Sequence, residues 1–291
     1  MGAALEEVTR RLEALRTDRE HGATFLAREA VHILALAAGG FAQPQGLQEE
    51  LRQVAEALYQ ARPTMAAVKN VVRRFLWGLE TQRDRASPST RLRAGPSAAL
   101  RTSALALCSD LERWLDLASE KAVQQGAGLL PTHSTIFTCS FSSTVVRVCQ
   151  AAREAGKEVH VLALESRMGD LAYGERVAAA LREAGVPNEV VPDSLLRQGV
   201  QQADLALVGA DKVLPQGAVI NGTPTLEVAR AARGRAPFYV VCESFKLDDD
   251  PYREEGFDLV PPELVTAIAT DLGLLRPGQV RRAFQGLAHR G

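Results

Sequence analysis

Five short segments of this chain carry side chains that can move a proton or hold an anion, and each follows an apolar run. Cys139 and Ser140 follow Thr135–Thr138, Glu165-Ser-Arg167 follows Glu158–Leu164, and Asp193-Ser194 follows Glu189–Pro192. Gly209-Ala-Asp211 follows Leu205–Val208, and Glu243-Ser-Phe-Lys246 follows Phe238–Val241. A carboxylate and a thiol in a water-poor pocket can share acid/base work. Arginine and lysine hold phosphate through charge-assisted hydrogen bonds. Each segment also has a plainer reading. Asp211 could be a turn or cap residue, Cys139 a small buried residue at a strand end, and Lys246 a solvated loop cation. Five such segments together make a mixed-charge crevice.

The elements that must position them alternate. Beyond residue 126, the apolar runs are separated by amphipathic stretches at Ser143–Ala155, Tyr173–Ala184, Ser194–Gln201 and Thr225–Arg233. Strand–helix alternation with short turns predicts a parallel sheet covered on both faces, with ligands beyond the carboxyl ends of its strands. Gly156, Gly185 and Gly234 stand where helix C-terminal glycines belong. Before residue 126 the periodicity is helical: Leu5, Val8, Leu12 and Leu15; Leu51, Val54 and Leu58; Val68, Val71, Val72 and Phe75; Leu105, Leu107, Leu111, Trp114 and Leu117. Breaks are expected at Gly39–Gly40, Ala86–Pro88 and Gly95–Ser97. Gly126-Ala-Gly-Leu-Leu-Pro131 reads as the boundary between a helical domain over 1–125 and a sheet domain over 126–291. The fold class expected is therefore α/β: a helical N-terminal domain followed by a Rossmann-like doubly wound parallel-sheet domain.

Composition narrows the partners. Of 291 residues, 46% are hydrophobic and 24% charged, and the formal net charge is −1. No general field draws such a chain to nucleic acid or to an anionic membrane. Any anion must meet a local cluster of positive groups. Arginine outnumbers lysine 29 to 5, a bias that suits bidentate phosphate contacts and that a GC-rich genome also produces. The four cysteines, Cys108, Cys139, Cys149 and Cys242, form no CxxC pair and no zinc-spaced cluster. Reduced thiols, a cytoplasmic location and no metal or redox cofactor are expected. No GxGxxG follows the first strand, which disfavours a dinucleotide-dependent dehydrogenase. The N-terminal residues lack the apolar core of a signal peptide, and no apolar run reaches the roughly 18 to 20 residues of a membrane span.

Several motifs, in order, resemble one superfamily. They are Ala61-Arg-Pro-Thr64 with Asn70, Glu165-Ser-Arg167, Asp193-Ser194 with Gly209-Ala-Asp211, Glu243-Ser-Phe-Lys246, Phe257-Asp-Leu-Val-Pro-Pro-Glu263 and Thr270-Asp-Leu-Gly273. The superfamily joins the alpha, beta and delta subunits of translation initiation factor 2B to two aldose–ketose isomerases. Those enzymes act on ribose 1,5-bisphosphate and on 5-methylthioribose 1-phosphate. The resemblance implies a phosphorylated pentose as substrate and a dimer, or a larger homo-oligomer, built through the C-terminal domain. It places Asp211 on the catalytic aspartate, Lys246 on a phosphate-contacting lysine, and Arg62 and Arg167 on substrate-site arginines. Asp193 and Asn221 would orient hydroxyls.

The departures bear on activity. Aligning Thr138-Cys-Ser-Phe-Ser142 with the isomerases' THCHS puts Ser140 on the catalytic cysteine and Cys139 on the histidine before it. A hydroxyl is a far weaker acid than a thiol. The same segment resembles TIGFSRTV of the non-catalytic beta subunit. The isomerases' RGA reads His21-Gly22-Ala23, losing one phosphate-binding arginine, and their NKIGT is degraded after Asn221. Two expectations stand side by side: an isomerase-like enzyme for ribose 1,5-bisphosphate or a similar sugar, and a non-catalytic regulatory or sensor subunit.

Overall fold

The computed structural model describes residues 2–40, 46–85 and 96–288. The breaks expected at Ala86–Pro88 and at Gly95 lie outside these residues. The described chain divides into two compact units, one up to Asp116 and one from Leu117 onward.

The first unit is helical: α1 (Gly2–Thr17), α2 (Ala23–Gly40), α3 (Leu47–Ala61), α4 (Ala66–Arg85) and the start of α5 (Pro96–Leu129). Helix α3 buries Leu47, Leu51, Val54, Leu58 and Ala61, one face at helical spacing. Each such leucine contributes about 1.5–3 kcal/mol. Helix α2 is apolar on most sides, and Leu26, Ala30, Val31, Ile33, Leu34 and Ala37 are all fully buried. It forms the centre of the unit. Helix α5 runs through Gly126 to Leu129, so the stretch expected as a domain boundary is helix at its start. A Cβ on Gly126 would lie 2.6 Å from Val148. Glycine there serves close packing and does not break the helix.

The second unit is built on a seven-stranded sheet. Its elements follow in the order β1 (His133–Thr138), α6 (Ser143–Glu154), β2 (Glu158–Leu164), β3 (Arg167–Met168), β4 (Leu171–Ala172), α7 (Tyr173–Glu183), β5 (Asn188–Val191), α8 (Leu196–Gln202) and β6 (Leu205–Val208). Then come β7 (Lys212–Val213), β8 (Val219–Gly222), α9 (Thr225–Ala232), β9 (Phe238–Val241), β10 (Phe257–Val260), β11 (Ala267–Thr270), β12 (Gly273–Leu275) and α10 (Val280–Ala288). The main sheet has the order β12-β11-β9-β6-β1-β2-β5. All its pairings are parallel except β11 with β12. Counting only its parallel strands in chain order gives 3-2-1-4-5-6, the doubly wound arrangement. Its switch point lies between β1 and β6. Two apolar clusters fill its faces, one around Phe137, Val208 and Phe238, the other around Ile136, Val161 and Leu207. Alternate residues of each strand feed opposite clusters, which explains the near-continuous apolar runs of the sequence. Gly156, Gly185 and Gly234 have φ of 83°, 69° and 73°, the left-handed backbone that ends a helix.

Beyond the carboxyl ends stands a second sheet, an antiparallel meander in the order β10-β8-β7. It occupies the region of Asp211 and Asn221, which the sequence presents as loop.

Candidate functional site

The switch point is where the chemistry-bearing residues gather. Ser140 and Ser142 leave β1, and Gly209 to Asp211 leave β6. Ser142 caps α6, its Oγ accepting from the Val145 amide at 3.3 Å. A Cβ on Gly209 would come within 2.5 Å of Ser142 Oγ, and one on Gly222 within 2.5 Å of Ser140 Oγ. Glycine at both positions lets the two serine hydroxyls pack directly over neighbouring backbone. Ser140 thus lies against the end of β8.

Strand β8 pairs with β7 antiparallel, Lys212 opposite Ile220, and Asp211 N–H donates to Ile220 O at 3.0 Å. Asp211 and Lys212 thus both stand against Ile220, as in a bulge at the start of β7. Asp211 is partly exposed, whereas Asn221 is buried. The Asn221 amide donates to Thr225 Oγ1 at 2.9 Å, and Thr225 donates in turn to Gly222 O at 2.5 Å.

On the other side stands a buried ion pair. Lys246 Nζ lies 2.9 Å from Glu243 Oε2, with the two side chains 4% and 0% exposed. Ser119 and Thr144 donate to Glu243 Oε1 at 3.2 and 3.1 Å. Burial opposes charge on both groups, but the pair wins: the Lys246 ammonium and these hydrogen bonds hold Glu243 below its ordinary pKa. Burial would also lower Lys246, yet Glu243, with Cys242 and Asp211 adding to it, holds the ammonium above its ordinary value. Lys246 therefore stays charged.

Asp193 sits at the end of β5, and its carboxylate is spent on backbone. Oδ1 accepts from the Ser166 amide at 2.7 Å and Oδ2 from the Arg167 amide at 2.9 Å. Arg167 itself is exposed and forks onto Glu165 Oε1 at 3.0 and 2.5 Å.

Cys139 points the other way. It is 1% exposed within the apolar cluster of Phe137, Leu164 and Val208, with Sγ 3.5 Å from Thr225 Oγ1. Burial pushes its thiol up to about 12, and Asp258 and Asp193 add to the rise against the lowering effect of Thr225. Ser140 holds the strand-end position, and Cys139 is packed into the core.

His21, Gly22 and Arg62 cluster within the first unit, around the turn from α1 to α2. His21 Nδ1 is 2.7 Å from Asp18 Oδ2, and its ring stacks on Phe25 at 4.0 Å. Gly22 O accepts the Leu26 amide in the first turn of α2. The buried Arg62 guanidinium donates to the carbonyls of Leu15 and Asp18. Its local task is to tie down the end of α1.

Two site features had weak signals in the sequence. Ser166 lies inside a quoted motif, yet nothing in its type announces its backbone conformation. Lys212 is fully buried, donating to the carbonyls of Asp250 and Tyr252 at 2.9 Å each, with Asp248 Oδ2 at 3.9 Å. Lysine is almost never found so deep without partners. Among the described residues, no group of His, Cys, Asp or Glu could hold a metal ion, and no helix is long and apolar enough to cross a membrane.

This geometry has relatives. A ribose 1,5-bisphosphate isomerase of Archaeoglobus fulgidus is 27% identical, over 94% of this chain and 91% of its own. A methylthioribose-1-phosphate isomerase of Desulforudis audaxviator is 30% identical, over 96% and 89%. The crystal structure of translation initiation factor eIF-2B from Pyrococcus horikoshii OT3 superposes with a TM-score of 0.80 at 25% identity, covering 94% of this chain and 98% of that one. The model of the Initiation factor 2 subunit family matches residues 19–256. The chain belongs to the Initiation factor 2 subunit family.

Proposed function

We propose that this protein is an aldose–ketose isomerase for a phosphorylated pentose of the ribose 1,5-bisphosphate kind, working at the switch point of its sheet. The observation that carries the reading is Asp211. It is a partly exposed carboxylate just past the end of β6, and its charge adds to that of Glu243 in holding the buried Lys246 ammonium charged.

The chemistry asks for a group that moves one proton between adjacent carbons. Opening the ring breaks the C1–O4 bond, and O4 takes a proton. The C2 proton then leaves to a base, giving an enol between C1 and C2. Return of a proton to C1 and loss of the proton on the C2 oxygen give the 2-ketose; C2 is oxidised and C1 reduced, with no external oxidant. Asp211 takes the C2 proton and returns it to C1. The Ser140 hydroxyl donates to O4 and is restored by the proton that leaves the C2 oxygen, while Asn221 steadies the hydroxyl on C2. Lys246 and Arg167 supply positive charge for phosphate. Asp193, with both oxygens on backbone amides, is not given a substrate hydroxyl in this scheme.

A second reading has its own observation. A serine occupies the position of the isomerases' catalytic thiol, and Lys246 already has a carboxylate partner. A non-catalytic subunit that binds a sugar phosphate without converting it would be built this way.

Proton NMR of the protein with ribose 1,5-bisphosphate in deuterated water, beside Asp211→Asn, separates them. Loss of the anomeric proton signal with the wild type, and its persistence with the variant, is the expected result. Saturable binding without conversion, weakened by Lys246→Ala, would leave the sensor reading. Neither binding nor conversion would remove this substrate class.

A further inference from the structure

Two residues other than glycine have positive φ among those described, Ser140 at 59° and Ser166 at 48°. A left-handed backbone crowds Cβ against the carbonyl, and serine has no special tolerance for it. Such outliers persist where the surroundings over-determine them. These two are joined to each other. Ser140 N–H donates to Ser166 Oγ at 3.0 Å, and Ser166 Oγ donates to Leu164 O at 3.2 Å, which aims an oxygen lone pair at Ser140. Ser166 N–H in turn donates to Asp193 Oδ1, and the next amide to Oδ2. Asp193 opens a 3-10 turn over Asp193–Leu195 but does not cap it with its side chain. The carboxylate reaches instead to the loop after the neighbouring strand. The order β1-β2-β5 in the sheet makes this a relay across three adjacent strand ends. Ser166 is 2% exposed, so water does not stand in for its hydroxyl.

We infer that Ser166 and Asp193 are positioning residues that hold Ser140 in its left-handed conformation, with its hydroxyl over Gly222 at the switch point. The consequence for turnover rests on the isomerase reading above; the consequence for the backbone does not. Neither residue touches substrate. Asp193 fixes the Ser166 amide, and Ser166 fixes the Ser140 amide. Cys139, one residue earlier, stays in the core for the same reason: the turn cannot slip by one without breaking the link from Ser140 to Ser166.

The test uses the full-length protein and two readouts. Amide hydrogen exchange over residues 138–142, followed by mass spectrometry, reads the backbone directly. Ser166→Ala removes the hydroxyl. Ser166→Gly removes it while accepting a φ of 48° more easily, so it keeps a folded comparison if the alanine variant fails to fold. Exchange is expected to speed up about 10-fold or more in either serine variant, and in Asp193→Asn, as the buried amide loses its fixed acceptor. Turnover of ribose 1,5-bisphosphate is expected to fall about 10- to 100-fold in kcat, with KM little changed, as a reacting group drifts out of place. The Ser140→Ala/Ser166→Ala double variant should then lose no more than Ser140→Ala alone. Unchanged exchange over 138–142 in Ser166→Gly and Asp193→Asn overturns the relay. So do additive losses of turnover, which would mean that Ser166 acts elsewhere. If the wild type converts no pentose phosphate, the isomerase reading fails by itself, and the exchange measurement still decides the relay.

Discussion

At the amino end of the parallel strands, His133, Arg153, Glu158, His160 and Asp204 line an open groove of about 490 Å³. At the carboxyl end stand Ser140, Ser166, Asp211, Glu243 and Lys246. Both ends are rich in charge, but the charge is handled differently. His133 and Glu158 face each other at 3.5 Å with side chains 75% and 80% exposed, where solvent screens them. Glu243 and Lys246 are at 2.9 Å and buried, with two hydroxyls spent on the carboxylate. The two non-glycine residues of positive φ also lie at the carboxyl end. Buried charge and a constrained backbone therefore set the carboxyl end apart from the amino end.

The largest effect that would sharpen this contrast is on Asp211. Asp211→Asn should lower pentose phosphate turnover about 10²- to 10⁴-fold, the usual cost of a proton-transfer group. The fold should persist, because the Asp211 bond to Ile220 is made by backbone. Steady-state kinetics with a circular dichroism control reads both.

Next comes the ion pair. Glu243→Ala strands a buried ammonium and should cost about 3–5 kcal/mol in denaturant unfolding. The pair also sets a pH window. Glu243 is held below its unfolded value, so its contribution is present above an unfolded carboxylate pKa of about 4.3 and fades as pH falls through the lowered folded value. Lys246 is held above its unfolded value, so its contribution is complete below about pH 10.4 and fades as pH rises further. Urea midpoints of wild type and Glu243→Ala should converge toward both extremes. A constant gap across pH would show that the loss is packing alone.

A smaller effect concerns Ser140. Ser140→Cys restores a thiol at the strand end and should raise turnover about 10-fold, since a thiol is by far the better acid. Lower turnover would mean that the pocket has been rebuilt around the hydroxyl. The smallest effect belongs to the amino end. His133→Ala should change stability by less than about 0.5 kcal/mol, as for other exposed pairs. A larger loss would break the contrast between the two ends.

Much of this arrangement was legible in the sequence. Strands β2, β6 and β9 have the expected ends, and β1 and β5 begin within two residues of theirs. Burial on both faces writes such strands as plain apolar runs. The meander was not legible. Lys212–Val213 is too short to show alternation, and Val219–Gly222 runs into glycine and proline, which look like loop. Gly126 read as a break because nothing local reveals that Val148 packs over it. The identity of the strand-end groups was readable; their orientation was not. Cys139 and Ser140 are adjacent, and nothing in their types tells which one enters the core. Asp193 was expected to orient a substrate hydroxyl, and nothing in its type announces that its carboxylate accepts two amides from the segment after β2.

Lys212 has a bearing on how this sequence drifts. The chain holds five lysines against 29 arginines. In a GC-rich genome, codon pressure replaces lysine by arginine wherever selection is indifferent. Lys69, Lys212 and Lys246 are buried, and Lys157 donates to two carbonyls, Ala127 O at 2.8 Å and Leu130 O at 2.5 Å. A compact ammonium meets two carbonyls as a point charge, whereas a guanidinium brings a flat fork that needs more room. The partnered lysines of this chain are thus places where a change to arginine would be costly, and Lys212 is the plainest of them.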